Sequence, residues 1–181
     1  MARILIIDDE EPIRFSLRGI LEDEGYEVLE AATAEEGLEV ADAERPDLVF
    51  LDIWLPGMDG LTAQARLKGN HPDLPVVMIS GHGTIETAVS AIQQGAYDFI
   101  EKPLSLEKVV IVAARALEAG SLLNRPGQRT NLNHQFLFQF VQQIERVFSL
   151  AIHLVDEDNN RSLAHTAHFH QFTRLCFHTF R

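Results

Sequence analysis

The 181-residue chain has a single cysteine, Cys176, and therefore cannot form a disulfide within itself. A lone cysteine is typical of a protein in a reducing compartment. No apolar run approaches the roughly 20 residues needed to span a bilayer. The N-terminus becomes acidic at Asp8, which is unlike a signal peptide. We therefore expect a cytoplasmic protein that does not bind membranes.

Basic residues are also scarce. The chain has 15 Lys and Arg against 27 Asp and Glu. Residues 1–120 hold 9 of the basic and 23 of the acidic residues, which is a net charge of −14. A segment this acidic repels a polyanion such as DNA. We therefore expect no direct nucleic-acid binding by this chain.

Five short apolar runs alternate with helical patterns over the first 120 residues. The runs are 3–7, 26–31, 48–52, 76–80 and 97–101, and the helical patterns cover about 12–23, 34–44, 61–69, 84–95 and 105–119. This alternation predicts a doubly wound α/β fold with a five-stranded parallel sheet. The length and the number of elements favour the flavodoxin-like strand order 2-1-3-4-5, in which ligands bind at the switch point between strands 1 and 3.

Charged residues stand at the ends of three of these runs. Asp8 and Asp9 follow the first, Asp52 ends the third, and Lys102 follows the fifth. The carboxyl ends of parallel strands meet at one edge, where these side chains would converge. Packed carboxylates repel by roughly 4 kcal/mol per pair at 4 Å and an effective dielectric of about 20. A hard divalent cation removes that penalty, so we predict a Mg²⁺ site to which the Trp54 backbone carbonyl adds a ligand.

These residue types suit phosphoryl transfer. Asp52 is the predicted nucleophile, because a carboxylate needs no deprotonation at neutral pH and can form an aspartyl phosphate. Asp9 is expected to bind Mg²⁺ directly, and Asp8 directly or through water. Lys102 would pair with Asp52 and then with a phosphoryl oxygen as a point charge. The Ser80 hydroxyl would donate a hydrogen bond to another phosphoryl oxygen.

Four segments resemble the receiver domain of response regulators. They are Ile-Leu-Ile-Ile-Asp-Asp-Glu (4–10), Leu-Asp-Ile-Trp-Leu-Pro-Gly-Met-Asp-Gly (51–60), Val-Val-Met-Ile-Ser-Gly-His-Gly (76–83) and Gly-Ala-Tyr-Asp-Phe-Ile-Glu-Lys-Pro (95–103). The last two, with residues 87–92 between them, are similar to the receivers of NtrC/NtrX-type transcriptional activators. The resemblance covers about two thirds of the chain and implies a role in two-component signalling and transcription regulation.

The resemblance also implies roles for single residues. Asp52 would accept a phosphoryl group from a sensor histidine kinase, and a switch would be formed by Ser80, Phe99 and Lys102. Mg²⁺ would be bound by Asp8, Asp9, Asp52 and the Trp54 carbonyl. Phosphorylation would change the face formed by residues 84–119 and favour a homodimer or binding of another partner.

Two other functions use similar residues. The first is a Mg²⁺-dependent phosphatase with an aspartyl-phosphate intermediate, although such enzymes usually carry the nucleophile after the first strand in an Asp-x-Asp arrangement. The second is a degenerate receiver that acts only as a scaffold, which the complete set of pocket residues argues against. We expect a phosphoacceptor signalling protein and not an enzyme.

The chain after residue 120 departs from the family pattern. Regulators of this type continue into an ATPase module and a helix-turn-helix, but no G-x-x-x-x-G-K-[ST] phosphate loop occurs here. We predict a receiver over 1–120, a linker over 121–132 and a tail over 133–181, with one amphipathic helix at about 135–155. Eight of eleven Phe and six of eight His lie after residue 132. The tail is a docking or dimerising helix, a disordered extension, or the product of truncation or a shifted reading frame.

Overall fold

The computed structural model describes residues 1–81 and 85–123. Its strands are β1 Arg3–Ile7, β2 Glu27–Ala31, β3 Leu48–Asp52, β4 Val76–Ser80 and β5 Asp98–Glu101. Its helices are α1 Glu11–Asp23, α2 Ala34–Glu44, α3 Gly60–Asn70, α4 Ile85–Gln93 and α5 Leu106–Leu123. All strand pairs are parallel, in the order β2-β1-β3-β4-β5. The predicted doubly wound fold and strand order are therefore confirmed.

Helices cover both faces of the sheet because the strands are apolar on both. Successive strand residues point to opposite faces, so Leu5 and Ile7 join one core cluster while Ile4 and Ile6 join the other. The first cluster includes apolar residues of α2, α3 and α4, and the second includes residues of α1 and α5. The sheet is thus a rigid platform whose carboxyl edge carries the polar residues.

Helix α5 is longer than the sequence predicts. The pattern ended the helix at 119 because glycine is a poor helix former, yet α5 continues through Gly120 to Leu123. Gly120 is buried, and a Cβ there would lie 3.2 Å from Pro75 Cδ. This close packing explains a glycine inside the helix. The first three residues of the predicted linker are therefore helical.

The remaining predictions for the C-terminal part fall on residues 124–181, outside the described residues. They comprise the rest of the linker, the tail and the amphipathic helix at about 135–155. Residue 84, at which the fourth helical pattern was predicted to begin, also lies outside the described residues. Within the described part of the chain, no helix is both long and apolar enough to pass through a membrane.

Candidate functional site

Two buried aspartates lie at the carboxyl edge, on either side of the switch point. Asp52 is the last residue of β3 and is 3% exposed, and Asp8 directly follows β1 and is fully buried. Strands β1 and β3 are paired along Ile7 and Leu51, which brings the two carboxylates to the same edge. An isolated buried carboxylate is costly unless it is paired with a cation.

Lys102 supplies the positive charge. Its Nζ lies 3.0 Å from Asp8 Oδ2, 2.8 Å from Glu10 Oε1 and 3.0 Å from Asp52 Oδ2. Lys102 follows β5, whose neighbour β4 pairs with β3. The backbone N–H of Lys102 donates to the Ser80 carbonyl at 2.8 Å, which holds this loop against the end of β4. The site is therefore built from the carboxyl ends of β1, β3, β4 and β5 and from the loops that follow them.

The pKa values of Asp8 and Lys102 are both raised, for different reasons and with opposite consequences for their charged forms. Burial raises the pKa of the Asp8 carboxyl above its ordinary value, and contacts with Lys102 and with the Glu10 N–H only partly offset this effect. Burial alone would lower the pKa of Lys102, but the carboxylates of Glu10, Asp8 and Asp52 beside its ammonium raise it well above its ordinary value. Lys102 therefore stays protonated, whereas the anionic form of Asp8 is destabilised.

The donor set fits a hard divalent cation. Among residues 1–81 and 85–123, carboxylate oxygens of Asp8, Glu10 and Asp52 lie within 4.8 Å of one another. Lys102 Nζ is near Asp8 Oδ2 but is not aligned with it, and this buried oxygen has no hydrogen-bond partner among the described residues. An all-oxygen cluster with an excess of negative charge is the environment that Mg²⁺ prefers.

Local hydrogen bonds orient the two aspartates. Asp8 Oδ1 accepts from the Glu10 N–H at 2.9 Å, and the Asp8 carbonyl accepts from the Arg14 side chain at 2.7 Å. These contacts tie the first turn of α1 to the end of β1. Asp52 Oδ1 accepts a long hydrogen bond of 3.4 Å from the Trp54 N–H. Asp52 Oδ2 is left to face Lys102.

The start of α3 approaches the Asp52 backbone closely. A Cβ at Gly60 would lie 2.0 Å from the Asp52 carbonyl oxygen, so only glycine fits there. The Gly60 N–H donates to the Ile53 carbonyl at 2.9 Å. Asp59 caps α3 by accepting hydrogen bonds from the Thr62 N–H at 2.9 Å and from the Thr62 hydroxyl at 2.8 Å. These two hydrogen bonds lower the pKa of Asp59. The loop after β3 is thus held firmly below the site.

The two other predicted switch residues occupy different positions. Ser80 ends β4 and is fully buried, and the neighbouring Ile79 carbonyl accepts from the Ile53 N–H at 3.0 Å. Phe99 lies on β5 and is half-buried. It packs against the same core cluster to which α4 contributes Ala91.

The structure brings together three of the residues predicted for the site: Asp8, Asp52 and Lys102. Asp9 is exposed and is not part of the carboxylate cluster within 4.8 Å, whose third member is Glu10. Sequence reasoning missed Glu10, although it directly follows the acidic pair. The Trp54 side chain is 60% exposed at the rim of the site.

The fold and this site define a doubly wound α/β domain with a lysine-bridged acidic pocket at its switch point. The chain belongs to the response regulator receiver domain family, whose model matches residues 4–114, more than half of its length. Members of this family are signalling phosphoacceptors of two-component systems, and they typically bind Mg²⁺ at an acidic pocket.

Individual relatives point to one branch of that family. The nitrogen assimilation regulatory protein NtrX of Azorhizobium caulinodans is 56% identical over 117 residues, which are 64% of this chain and 26% of that protein. The crystal structure of the NtrX receiver domain from Brucella abortus is 56% identical with a TM-score of 0.62, covering 64% of this chain and 98% of that one. The chain thus spans about a quarter of the curated relative it matches.

One solved structure similar to this chain is an assembly. The solution structure of the beryllofluoride-activated NtrC4 receiver domain dimer is 42% identical with a TM-score of 0.64. The match covers 66% of this chain and 99% of that one. The predicted resemblance to NtrC/NtrX-type receivers is confirmed by these relatives.

Proposed function

We propose that this domain accepts a phosphoryl group on Asp52 from a sensor histidine kinase, in a Mg²⁺-dependent reaction. The observation that carries the proposal is the position of Asp52, which is nearly buried at the end of β3 with Oδ2 3.0 Å from Lys102 Nζ. A carboxylate oxygen would attack the phosphorus, and the bond from phosphorus to the donor would break. The ammonium already beside it would neutralise charge on the phosphoryl oxygens.

Mg²⁺ would be held by Asp8, Asp52 and Asp9, with the Trp54 backbone carbonyl as a further ligand. The orphaned buried oxygen of Asp8 and the closeness of the Asp8 and Asp52 carboxylates support the assignment of these two ligands. The ion would supply charge neutralisation where the phosphoryl group and the carboxylates meet. Asp9 directly follows Asp8 and is exposed, and its carboxylate would join the ion by a change of rotamer.

Phosphorylation would act on the face formed by α4, β5 and α5. Lys102 follows β5 and would respond to the phosphoryl group, and Ser80 would donate its hydroxyl to it. Phe99 packs against the cluster that includes α4 and would carry the change outward. A two-state switch of this kind needs only a local change of charge beside a bistable loop.

A homodimer on this face would be the response to phosphorylation. Leu106 and Ile111 of α5 are large apolar side chains exposed to solvent, which is a feature of interaction surfaces. The dimer of the activated NtrC4 receiver supports this proposal. The NtrX relative is about four times as long as the segment it shares with this chain, and we propose that the receiver serves transcription regulation in such a context.

Phosphorylation by a small phosphodonor tests the proposal. We expect the chain to take up one phosphoryl group from acetyl phosphate with Mg²⁺, and none with a chelator. Asp52→Asn should take up none, whereas Asp23→Asn, which changes an exposed aspartate at the end of α1, should behave as the parent. Full labelling of Asp52→Asn would refute the assignment. Steady hydrolysis of a phosphomonoester would favour the phosphatase instead.

Sedimentation of the beryllofluoride-bound chain tests the dimer. We expect the sedimentation coefficient to rise when beryllofluoride and Mg²⁺ are added, and Ile111→Glu to abolish that rise. Phe15→Glu is the matched control, since Phe15 is an exposed apolar residue on α1, outside the proposed face. An unchanged coefficient at every accessible concentration would contradict the proposal.

A further inference from the structure

We propose that Glu10 is a positioning residue that competes with the phosphoryl group for the Lys102 ammonium and so sets the rate of phosphorylation. This inference rests on the proposed function of Asp52. Glu10 Oε1 lies 2.8 Å from Lys102 Nζ, the shortest of the three distances that join this ammonium to a carboxylate. The contact joins residues 92 positions apart in the sequence.

The Lys102 ammonium has few donors for the groups around it. An ammonium has three N–H groups, and three carboxylates lie within 3.0 Å of Lys102 Nζ. A phosphoryl oxygen on Asp52 would need one of these donors. Glu10 and Asp52 accept hydrogen bonds from this ammonium, and Asp8 is the third carboxylate beside it, so a phosphoryl oxygen would compete with these groups for its charge.

Burial decides which carboxylate leaves. The side chains of Asp8 and Asp52 are 0% and 4% exposed, so neither can move into water without opening the core. The side chain of Glu10 is 57% exposed and can swing into solvent, where it is hydrated. The Glu10 end of this ion pair faces water, where such a contact contributes little to stability. Glu10 is therefore the carboxylate that would move away from Lys102.

Glu10 also opposes the incoming donor directly. Small phosphodonors are anions, and Glu10 adds a negative charge at the rim of a pocket that already holds two buried carboxylates. Both effects have the same direction, because the Lys102 contact and the added charge each slow the approach of a phosphoryl group. The rate of phosphorylation should rise when the contact is removed.

Rates of labelling by acetyl phosphate in saturating Mg²⁺ test the inference. We expect Glu10→Gln to accelerate labelling about two- to fivefold, the range set by an exposed ion pair. Glu10→Asp keeps the charge but shortens the side chain, so it should also accelerate labelling if contact with Lys102 is what matters. Glu11→Gln removes the next acidic residue, an exposed one in the first turn of α1, and should leave the rate unchanged.

The Mg²⁺ affinity of the same variants separates positioning from metal binding. Trp54 is the only tryptophan of the chain and lies at the rim of the site, so its fluorescence reports a Mg²⁺ titration. We expect Glu10→Gln to change the Mg²⁺ affinity by less than about threefold, whereas loss of a ligand, or of a residue that orients a ligand, would weaken it about tenfold or more. A tenfold loss would show that Glu10 serves the metal site and would overturn the inference.

The outcomes for Glu10 and for Asp52 are distinguishable. If the parent is labelled on Asp52 while Glu10→Gln and Glu10→Asp react at the parent rate, the role of Glu10 is refuted and the proposed function stands. If Glu10→Asp alone reacts at the parent rate, charge and not contact governs the rate, and the positioning role is refuted. If the parent is never labelled on Asp52, the proposed function itself fails.

Discussion

At the residue scale, the site is governed by the imbalance between one ammonium and three carboxylates. Lys102 contacts Asp8, Glu10 and Asp52, yet the buried Asp8 oxygen still lacks an aligned donor among the described residues. Negative charge that is not neutralised inside a protein costs stability. The site therefore carries a cost in the metal-free protein, and Mg²⁺ would relieve it.

Replacing Asp8 with Asn should stabilise the metal-free protein at neutral pH. The pKa of Asp8 is raised above its ordinary value of 3.8, so its contribution to stability is most favourable below that value and is lost as the pH rises through the raised folded-state pKa. We expect a gain of about 1 kcal/mol at pH 7. Thermal melts with and without Mg²⁺ measure it.

The pH dependence provides the control for Asp8→Asn. The gain should shrink as the pH falls below the ordinary carboxyl range, where Asp8 is protonated in the folded and unfolded chains alike. The variant should also lose most of the stabilisation that Mg²⁺ gives to the parent. A variant that is less stable than the parent at pH 7 without Mg²⁺ would contradict this account.

Three of the site residues could be predicted because strand ends determine their position. Asp8, Asp52 and Lys102 follow apolar runs, and parallel strands bring their carboxyl ends together. Glu10 could not be assigned in this way, since it lies beyond the strand and reaches Lys102 only after both loops are placed. The pattern Asp-Asp-Glu marks the loop but does not tell which carboxylates point inward.

At the element scale, α3 is positioned by the contact of its first residue with β3. Gly60 leaves no space for a side chain, because a Cβ would lie 2.0 Å from the Asp52 carbonyl oxygen and 2.7 Å from Ile53 Cα. These neighbours are backbone atoms and cannot rotate away. The glycine therefore fixes the distance between helix and strand beneath the site.

Gly60→Ala should destabilise the protein by about 1–3 kcal/mol, the usual cost of overpacking. It should also slow labelling of Asp52, because the strand end must shift to admit the methyl group. Gly69→Ala is a matched control on the same helix, since a Cβ at Gly69 meets nothing within 4 Å. That variant should be stabilised by up to about 1 kcal/mol. Equal free energies of unfolding for the two variants would argue against the close approach.

The bounds of the helices and strands were predictable to within a few residues, except at the end of α5. Buried strands are continuous apolar runs, so β1, β3 and β4 begin and end where the sequence predicts. The predicted end of α5 was wrong, because Gly120 packs against Pro75 and does not end the helix. A packing contact between residues so far apart leaves no trace in a local pattern.

At the scale of the whole molecule, all five strands and every predicted site residue precede Leu123. We expect a fragment of residues 1–123 to fold and to accept a phosphoryl group as the full chain does. A tail helix docked on the receiver would make the fragment less stable by an amount set by the apolar area it exposes, at about 25 cal/mol per Å². A disordered or frame-shifted tail would leave the melting temperature nearly unchanged, and we favour this outcome.

Thermal melts and phosphorylation rates of the full chain and the fragment test this prediction. The fragment keeps the end of α5, so any difference between the two is due to residues 124–181. The fragment should also be the more soluble, since the tail holds eight of the eleven Phe residues. A fragment that fails to fold would refute the predicted receiver boundary.

The measurement that tests the central claim most directly is the location of the phosphoryl group. Borohydride reduces an aspartyl phosphate to homoserine, which marks the modified residue in peptide mass spectra. After reaction with a phosphodonor and Mg²⁺, we predict homoserine at position 52 alone, and none when Mg²⁺ is chelated. Modification at Asp8 or Asp9 with Asp52 left intact, or a label at position 52 that forms equally well without Mg²⁺, would contradict the account.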